Sequence, residues 1–170
     1  IRNKTLIELW IEQFSENKIT NLYVSVEHMK EQIIEHLEEL NKKYNLNITY
    51  IVENQPMGTG GSIYKVLEDN QDCENLIIVM ADVVCKGVVS DMIKKFDTTN
   101  SELMLVNRTV EIQVPFGVIN EDSKDEFIVE KPTKKYLINS GLYVINRKIK
   151  KYFIPNEPIG LPDIVNKANI

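Results

Sequence analysis

One short run, LIIVMA at residues 76–81, is apolar at every position. A strand with apolar side chains on both faces has to be covered on both faces, which is typical of the inner strands of parallel α/β sheets. Before this run, helix-like and strand-like patterns alternate, and right-handed crossovers place helices on both sides of such a sheet. The sequence therefore predicts a Rossmann-like, doubly wound α/β fold with a mostly parallel, mixed sheet.

The individual elements are predicted from the spacing of their apolar residues, which recur every three or four positions in helices and alternate in strands. We expect helices over 4–17, 29–44, 59–68 and 88–96, and strands over 21–28, 47–53 and 76–81. Thr59 or Ser62 is expected to cap the third helix. After residue 100 we expect strands over 102–110, 114–120, 126–132 and 137–145, and short helices near 147–152 and 162–169.

The composition indicates one globular domain over residues 1–170 and argues against several classes of function. A net charge of −5, with lysines scattered among acids, provides no basic stripe for nucleic acid. Cys73 and Cys85 lack the spacing of a zinc site or a disulfide framework. With no membrane-spanning run and no signal peptide in view, we expect a cytoplasmic protein that does not bind membranes.

A glycine cluster, MGTGGS at residues 57–62, lies between a predicted strand and a predicted helix. Ordered glycine costs conformational entropy, so a cluster indicates a sharp turn or a backbone that lies against something bulky. The start of a helix also presents free N–H groups to an anionic or flat ligand. The spacing fits neither a Walker A loop nor GxGxxG, and a tight turn without a ligand is an equal alternative.

A single acid, Asp82, follows the apolar strand directly. Ligands of open α/β sheets bind beyond the carboxyl ends of the strands. A carboxylate at that place is suited to Mg²⁺, which takes one or two acids and completes its shell with phosphate oxygens and water. The alternative is that Asp82 caps the turn before Val88.

Five segments, taken in order, resemble motifs of the sugar-phosphate nucleotidylyltransferases. PMGTGGS is similar to the family's PLGTAGA, VMAD to its strand ending in Gly-Asp, and VPFGVI to its Tyr-Gly-Val. VEKP occurs as such, and INSGLYVI is similar to N-A-G-x-Y. The resemblance implies that a sugar 1-phosphate oxygen displaces pyrophosphate from a nucleoside triphosphate, with Mg²⁺ as cofactor and no protein nucleophile.

The same resemblance assigns roles to individual residues. Gly58 and Thr59 would bind the nucleotide, with Gly58 against the base. Asp82 would hold the metal and take part in catalysis, and Lys131 would do so by reaching the sugar phosphate. The sugar would lie against Gly117, with its hydroxyls bonded by Glu130 and Asn139. On this interpretation, the glycines of MGTGGS let the base lie on bare backbone.

Glu53 leads to a hypothesis about the base. Many pyrimidine-specific members of the family have a glutamine five residues before the glycine that corresponds to Gly58. A carboxylate only accepts hydrogen bonds, and guanine offers two adjacent donors, whereas uracil and thymine offer one N–H between two carbonyls. We therefore expect Glu53 to bind the nucleotide and to favour GTP; the alternative is that it faces solvent.

Two parts of the family pattern are absent from the sequence: the first strand with its GGxGTRLxPLTxxxPKP loop, and a later W-x-D-x-G stretch. We therefore expect this polypeptide alone to be inactive, and its sheet to lack a central strand. A partner chain or exchange between copies would compensate, so a homo-oligomer is an expected state. The alternatives are a non-catalytic nucleotide-sugar or sugar-phosphate binding domain, and a GT-A glycosyltransferase, which would require a DxD motif.

Overall fold

The computed structural model describes residues 4–52, 57–121, 126–155 and 157–168. Helices and strands alternate through its first half, in the order α1 (Leu6–Glu16), β1 (Asn21–Val26), α2 (Lys30–Tyr44), β2 (Asn47–Val52), α3 (Gly58–Asp69), β3 (Asn75–Val79) and α4 (Val88–Asp97). The second half contains β4 (Leu103–Gln113), β5 (Val118–Ile119), β6 (Ile128–Val129), β7 (Thr133–Asn146), a 3₁₀ helix (Arg147–Tyr152) and α5 (Leu161–Lys167). The predicted α/β class is confirmed.

The strand pairing is less parallel than the sequence predicts. Strands β1 and β2 form a parallel pair, whereas β3, β7 and β4 form an antiparallel sheet in that order, and β5 pairs antiparallel with β6. In the described residues between β4 and β7, the chain forms β5 and β6 and no helix. The long strand β7 lies between β3 and β4 and pairs antiparallel with both.

Strand β3 is covered on both faces, as its apolar sequence predicts. Leu76, Ile78 and Met80 pack against a buried cluster that includes Ile63 and Leu67 of α3. Ile77 and Val79 pack against another cluster, built from α1, α4 and β7. Helices therefore lie on both sides of the β3–β7–β4 sheet. None of the helices in the described ranges has the length and apolar content needed to cross a membrane.

A cleft of about 1160 Å³ separates the two groups of strands. One wall is β1, from Asn21 to Ser25, and the other is β3 with Met80 and Ala81. Among the described strands, β1 pairs only with β2 and β3 pairs only with β7, so each has an edge without a strand partner toward the cleft. This confirms the prediction that the sheet is interrupted.

A buried carboxylate links α1 to α2. Glu8, which is 9% exposed, accepts hydrogen bonds from Lys43 Nζ at 2.8 Å and from the Tyr44 hydroxyl at 3.3 Å. The Tyr44 hydroxyl also donates to Glu12, which forms an ion pair with Lys4. The ammonium group of Lys43 lowers the pKa of Glu8, and Lys4 lowers the pKa of Glu12, in both cases mainly through the hydrogen bond.

We expect the contribution of Glu8 to stability to disappear in acid. A carboxyl whose pKa is lowered on folding stabilises the protein above its unfolded pKa of 4.5, and this contribution is lost as the pH falls through the folded pKa. Glu8→Gln should lower the urea midpoint by roughly 0.3 M at pH 7, because an ion pair with one exposed partner contributes little. The difference from the native protein should shrink progressively below pH 4.5.

The control for this comparison is Glu35→Gln, which removes an exposed carboxylate from the same helix pair. Its midpoint should follow the native protein at every pH. A Glu8→Gln deficit that persists unchanged in acid would show that the effect comes from packing and not from the charge.

Candidate active site

The predicted metal ligand, Asp82, is exposed in a turn that follows β3. Helix α1 fixes this turn through two side chains: the Trp10 indole N–H donates to the Val83 carbonyl at 2.9 Å, and Gln13 Nε2 donates to the Cys85 carbonyl at 2.8 Å. Helix α4 begins after Gly87, and no side chain caps it. No hydrogen bond of the Asp82 side chain is recorded in the turn before Val88, so the structure gives no support to the alternative that Asp82 caps this turn, and the carboxylate is exposed to solvent.

The glycine cluster forms the first turn of α3 and lines the same cleft. Gly58 and Thr59 lie at the wall together with Met80 and Ala81, the residues that precede Asp82. The predicted nucleotide-binding turn and the end of β3 therefore face one opening.

The segment Ile159–Leu161 holds this turn from the other side. The Gly60 N–H donates to the Ile159 carbonyl at 2.8 Å, and the Ile159 N–H donates to the Met57 carbonyl at 3.0 Å. The Leu161 N–H donates to Thr59 Oγ1 at 2.9 Å. Thr59 therefore uses its hydroxyl to bind the chain itself. The predicted capping of α3 by Thr59 or Ser62 is wrong, since its N-cap is Met57 and no side chain bonds the free N–H groups.

The structure explains why Gly58 and Gly60 are glycines, and the explanation differs from the predicted one. A Cβ on Gly58, which has a left-handed φ of +68°, would lie 2.7 Å from the Ile159 carbonyl oxygen, and a Cβ on Gly60 would lie 2.6 Å from it. Neither distance is sterically allowed for a real side chain, so both positions require glycine to admit Ile159. The contact of Gly58 with a base stays a prediction.

Asn139 lies beside the Asp82 turn because of an irregularity in β7. The Met80 N–H donates to the Gly141 carbonyl at 3.1 Å, and a Cβ on Gly141 would lie 2.9 Å from the Met80 side chain. Asn139, two residues earlier, accepts a hydrogen bond from the Gly141 N–H. The predicted sugar ligand is thus attached, through Gly141, to the turn that carries the predicted metal ligand.

The other predicted sugar and phosphate ligands form a second group on β5 and β6. Pairing of Val118 with Val129 brings Gly117 beside Glu130, whose Oε2 lies 3.0 Å from the position of a Cβ on Gly117. The Lys131 N–H donates to the Phe116 carbonyl at 3.2 Å. Lys131 has a φ of 46°, a left-handed conformation that is uncommon for residues other than glycine and often marks functional sites.

The two groups are linked through β7. Asn139 lies six positions after Thr133 on this strand, which amounts to about 20 Å in an extended chain. In the parts of the chain that the structure describes, no recorded hydrogen bond joins one group to the other. The predicted base-reading residue, Glu53, lies outside the described residues.

The donor set at the end of β3 suits a metal that takes most of its ligands from elsewhere. Asp82 offers one exposed carboxylate, and the described residues contain no group of three or more metal-binding side chains. Zinc and calcium sites supply more protein ligands, whereas Mg²⁺ commonly uses one or two carboxylates together with phosphates and water. The residues present therefore fit Mg²⁺ brought in with a phosphate ligand.

The α/β domain carries a glycine turn after β2, an acid after β3 and a glutamate-lysine turn after β6. The chain belongs to the nucleotidyl transferase family, because the sequence model of that family matches residues 1–159. A mannose-1-phosphate guanyltransferase from Schizosaccharomyces pombe is 29% identical over 154 residues, which is 86% of this chain. The alignment spans 42% of that relative, so the chain corresponds to less than half of its length.

Solved structures agree on the fold. HddC from Yersinia pseudotuberculosis is 25% identical and has a TM-score of 0.63, and the match covers 92% of this chain and 69% of the HddC chain. A putative glucose-1-phosphate thymidylyltransferase from Bacillus anthracis is 16% identical and has a TM-score of 0.72, and the match covers 96% of this chain and 70% of that protein's chain. The second likeness shows the fold alone and confirms the predicted Rossmann-like architecture.

Sequence reasoning missed the residues that hold the site together. Ile159 was not predicted to take part, and Gly141 and Tyr143 belonged to the INSGLYVI motif without a role of their own. The structure shows that they position the glycine turn, the Asp82 turn and Asn139. The sequence signal for the irregularity in β7 is a glycine inside a strand pattern, two residues after an asparagine.

Proposed function

We propose that a protein carrying this chain transfers a nucleotidyl group from a nucleoside triphosphate, with GTP favoured, to a sugar 1-phosphate. The observation that carries the proposal is that the glycine turn lines the same cleft as Met80 and Ala81, which lead into the Asp82 turn, while Met80 is bonded to Gly141, the partner of Asn139. A nucleotide held at the turn would have its phosphates near the carboxylate. The fungal relatives, which are mannose-1-phosphate guanyltransferases, support both the reaction class and the choice of guanine nucleotide.

The reaction is an in-line displacement. A phosphate oxygen of the sugar 1-phosphate attacks the α-phosphorus, a new P–O bond forms, and the bond to the β-phosphate oxygen breaks, so that pyrophosphate leaves with that electron pair. Asp82 would hold Mg²⁺, which when bound neutralises phosphate charge. Lys131 would place its ammonium group on the sugar phosphate, while Glu130 and Asn139 would bond sugar hydroxyls.

The preference for GTP rests on the chemistry of Glu53 and on the names of the relatives. The carboxylate accepts two hydrogen bonds, and guanine supplies N1–H and its amine side by side. The same proposal places the protein in the cytoplasm, where nucleoside triphosphates are supplied.

The test is a pyrophosphate-release assay on the intact protein, with the four nucleoside triphosphates crossed against a panel of sugar 1-phosphates. We expect turnover with at least one sugar phosphate and the highest kcat/KM with GTP. Binding of both ligands without pyrophosphate release by the intact protein would favour a non-catalytic binding domain, and a clear preference for UTP would refute the role of Glu53.

A further inference from the structure

Strand β7 contains a bulge at the segment Asn139–Leu142. Asn139 pairs with Asn107 and Leu142 pairs with Val106, which are neighbours on β4, so the two residues between them have no partner there. Gly141 has a φ of +73°, and its missing side chain makes room for Met80. Bulges of this kind change the direction of a side chain and are frequent next to active sites.

The bulge leaves the Asn139 carboxamide bonded at both ends. The backbone N–H of Gly141 can only donate, and it lies 2.9 Å from Oδ1, so the amide oxygen must face it. The amide nitrogen Nδ2 is then directed to the hydroxyl oxygen of Tyr143, to which it donates. The orientation of the amide follows from these two partners.

Tyr143 is a fixed partner because its ring is part of the core. The residue is 2% exposed and packs in the cluster that includes Leu103, Ile145 and Ile149. Asn139 itself is exposed. A buried hydroxyl thus fixes the direction of an exposed amide, which is the usual relation between a supporting residue and the ligand-binding group that it orients.

We propose that Tyr143 is a positioning residue for the sugar-phosphate site and acts by orienting Asn139; this rests on the proposed function. With both bonds made, the carboxamide keeps one N–H and one lone pair for a ligand. That donor-acceptor pair suits a sugar hydroxyl, which is both acceptor and donor. Through Gly141 and Met80, the same arrangement keeps Asn139 at a fixed distance from the Asp82 turn.

The decisive variant is Tyr143→Phe in the intact protein, which removes the hydroxyl and keeps the ring. The matched control is Tyr50→Phe on β2, because the Tyr50 hydroxyl also bonds a side chain, the Glu38 carboxylate of α2, and Tyr50 does not line the cleft. We expect Tyr143→Phe to raise KM for the sugar 1-phosphate about fivefold, the effect of one neutral hydrogen bond, and to leave KM for the nucleotide unchanged. Tyr50→Phe should change neither constant.

A second measurement does not depend on turnover. In ¹⁵N-correlated NMR spectra, the Asn139 side-chain amide, assigned with Asn139→Ser, should shift toward the position of a solvent-exposed carboxamide in Tyr143→Phe and stay in place in Tyr50→Phe. An unmoved Asn139 amide would overturn the proposal, as would equal losses for nucleotide and sugar phosphate in both variants. If the native protein does not use sugar phosphates at all, the proposed function fails, and the amide shift still decides whether Tyr143 orients Asn139.

Discussion

Gly58→Ala should lower the melting temperature of the protein by about 6–12 °C, the shift that ~3 kcal/mol produces in a chain of this size. The loss has two sources. Alanine at a left-handed φ costs about 1–2 kcal/mol, and a Cβ placed 2.7 Å from the Ile159 carbonyl oxygen has to displace backbone. Such overpacking costs about 1–3 kcal/mol in well-packed sites. Thermal unfolding followed by circular dichroism measures the shift.

Gly87 is a matched control for this change. It has the same φ of +68°, and nothing lies within 4 Å of its Cβ position, so Gly87→Ala carries only the conformational cost. Its melting temperature should fall by about 3–6 °C. Gly60→Ala isolates the steric clash with Ile159, because Gly60 does not have a left-handed φ. If Gly58→Ala and Gly87→Ala were equally stable, the contact between Ile159 and the glycine turn would not exist in solution.

Asp82→Asn should reduce kcat/KM of the intact protein by at least about 100-fold, because loss of a metal-holding carboxylate removes several kcal/mol of charge stabilisation. The amide is nearly isosteric and the position is exposed, so the melting temperature should stay within about 1–2 °C of the native value. A magnesium titration of the rate should also show weaker apparent affinity for the ion. This prediction depends on the proposed function, and the measurements are pyrophosphate release and thermal unfolding.

The control for the charge itself is Asp91→Asn on α4, which removes an exposed carboxylate from the helix that follows the Asp82 loop. It should leave the rate and its magnesium dependence unchanged. Activity of Asp82→Asn within about threefold of the native protein would mean that this carboxylate does not hold the metal.

The helices and strands were predictable because their signal is local. The spacing of apolar residues predicted α2 over 29–44 and β3 over 76–81, and the structure has them at Lys30–Tyr44 and Asn75–Val79. The ends of β4 and β7 were predicted short, since their outer parts carry lysines and exposed side chains and show no burial pattern. Pairing between these two strands, and not burial, continues the ladder to Gln113 and Thr133.

The site was predictable in its residues and not in its architecture. The motifs indicated Gly58, Asp82 and Asn139, each from a short stretch of sequence. The contacts that position them join distant parts of the chain: the bond between Thr59 and Leu161 spans 102 residues, and the bond between Trp10 and Val83 spans 73. No local pattern encodes such contacts, because they depend on how complete elements pack.

The cleft between β1 and β3 has a consequence for how the molecule moves. No described strand bridges the two groups of strands. The group with β1, α2 and β2 packs mainly on a small core of four buried residues: Ile11, Leu37, Leu40 and Leu46. The group with β3, β7 and β4 packs on two larger clusters of buried residues. Cooperative opening is easiest where the buried apolar surface is smallest. The β1 wall of the cleft should therefore open more readily than the β3 wall, whose end leads into the Asp82 turn.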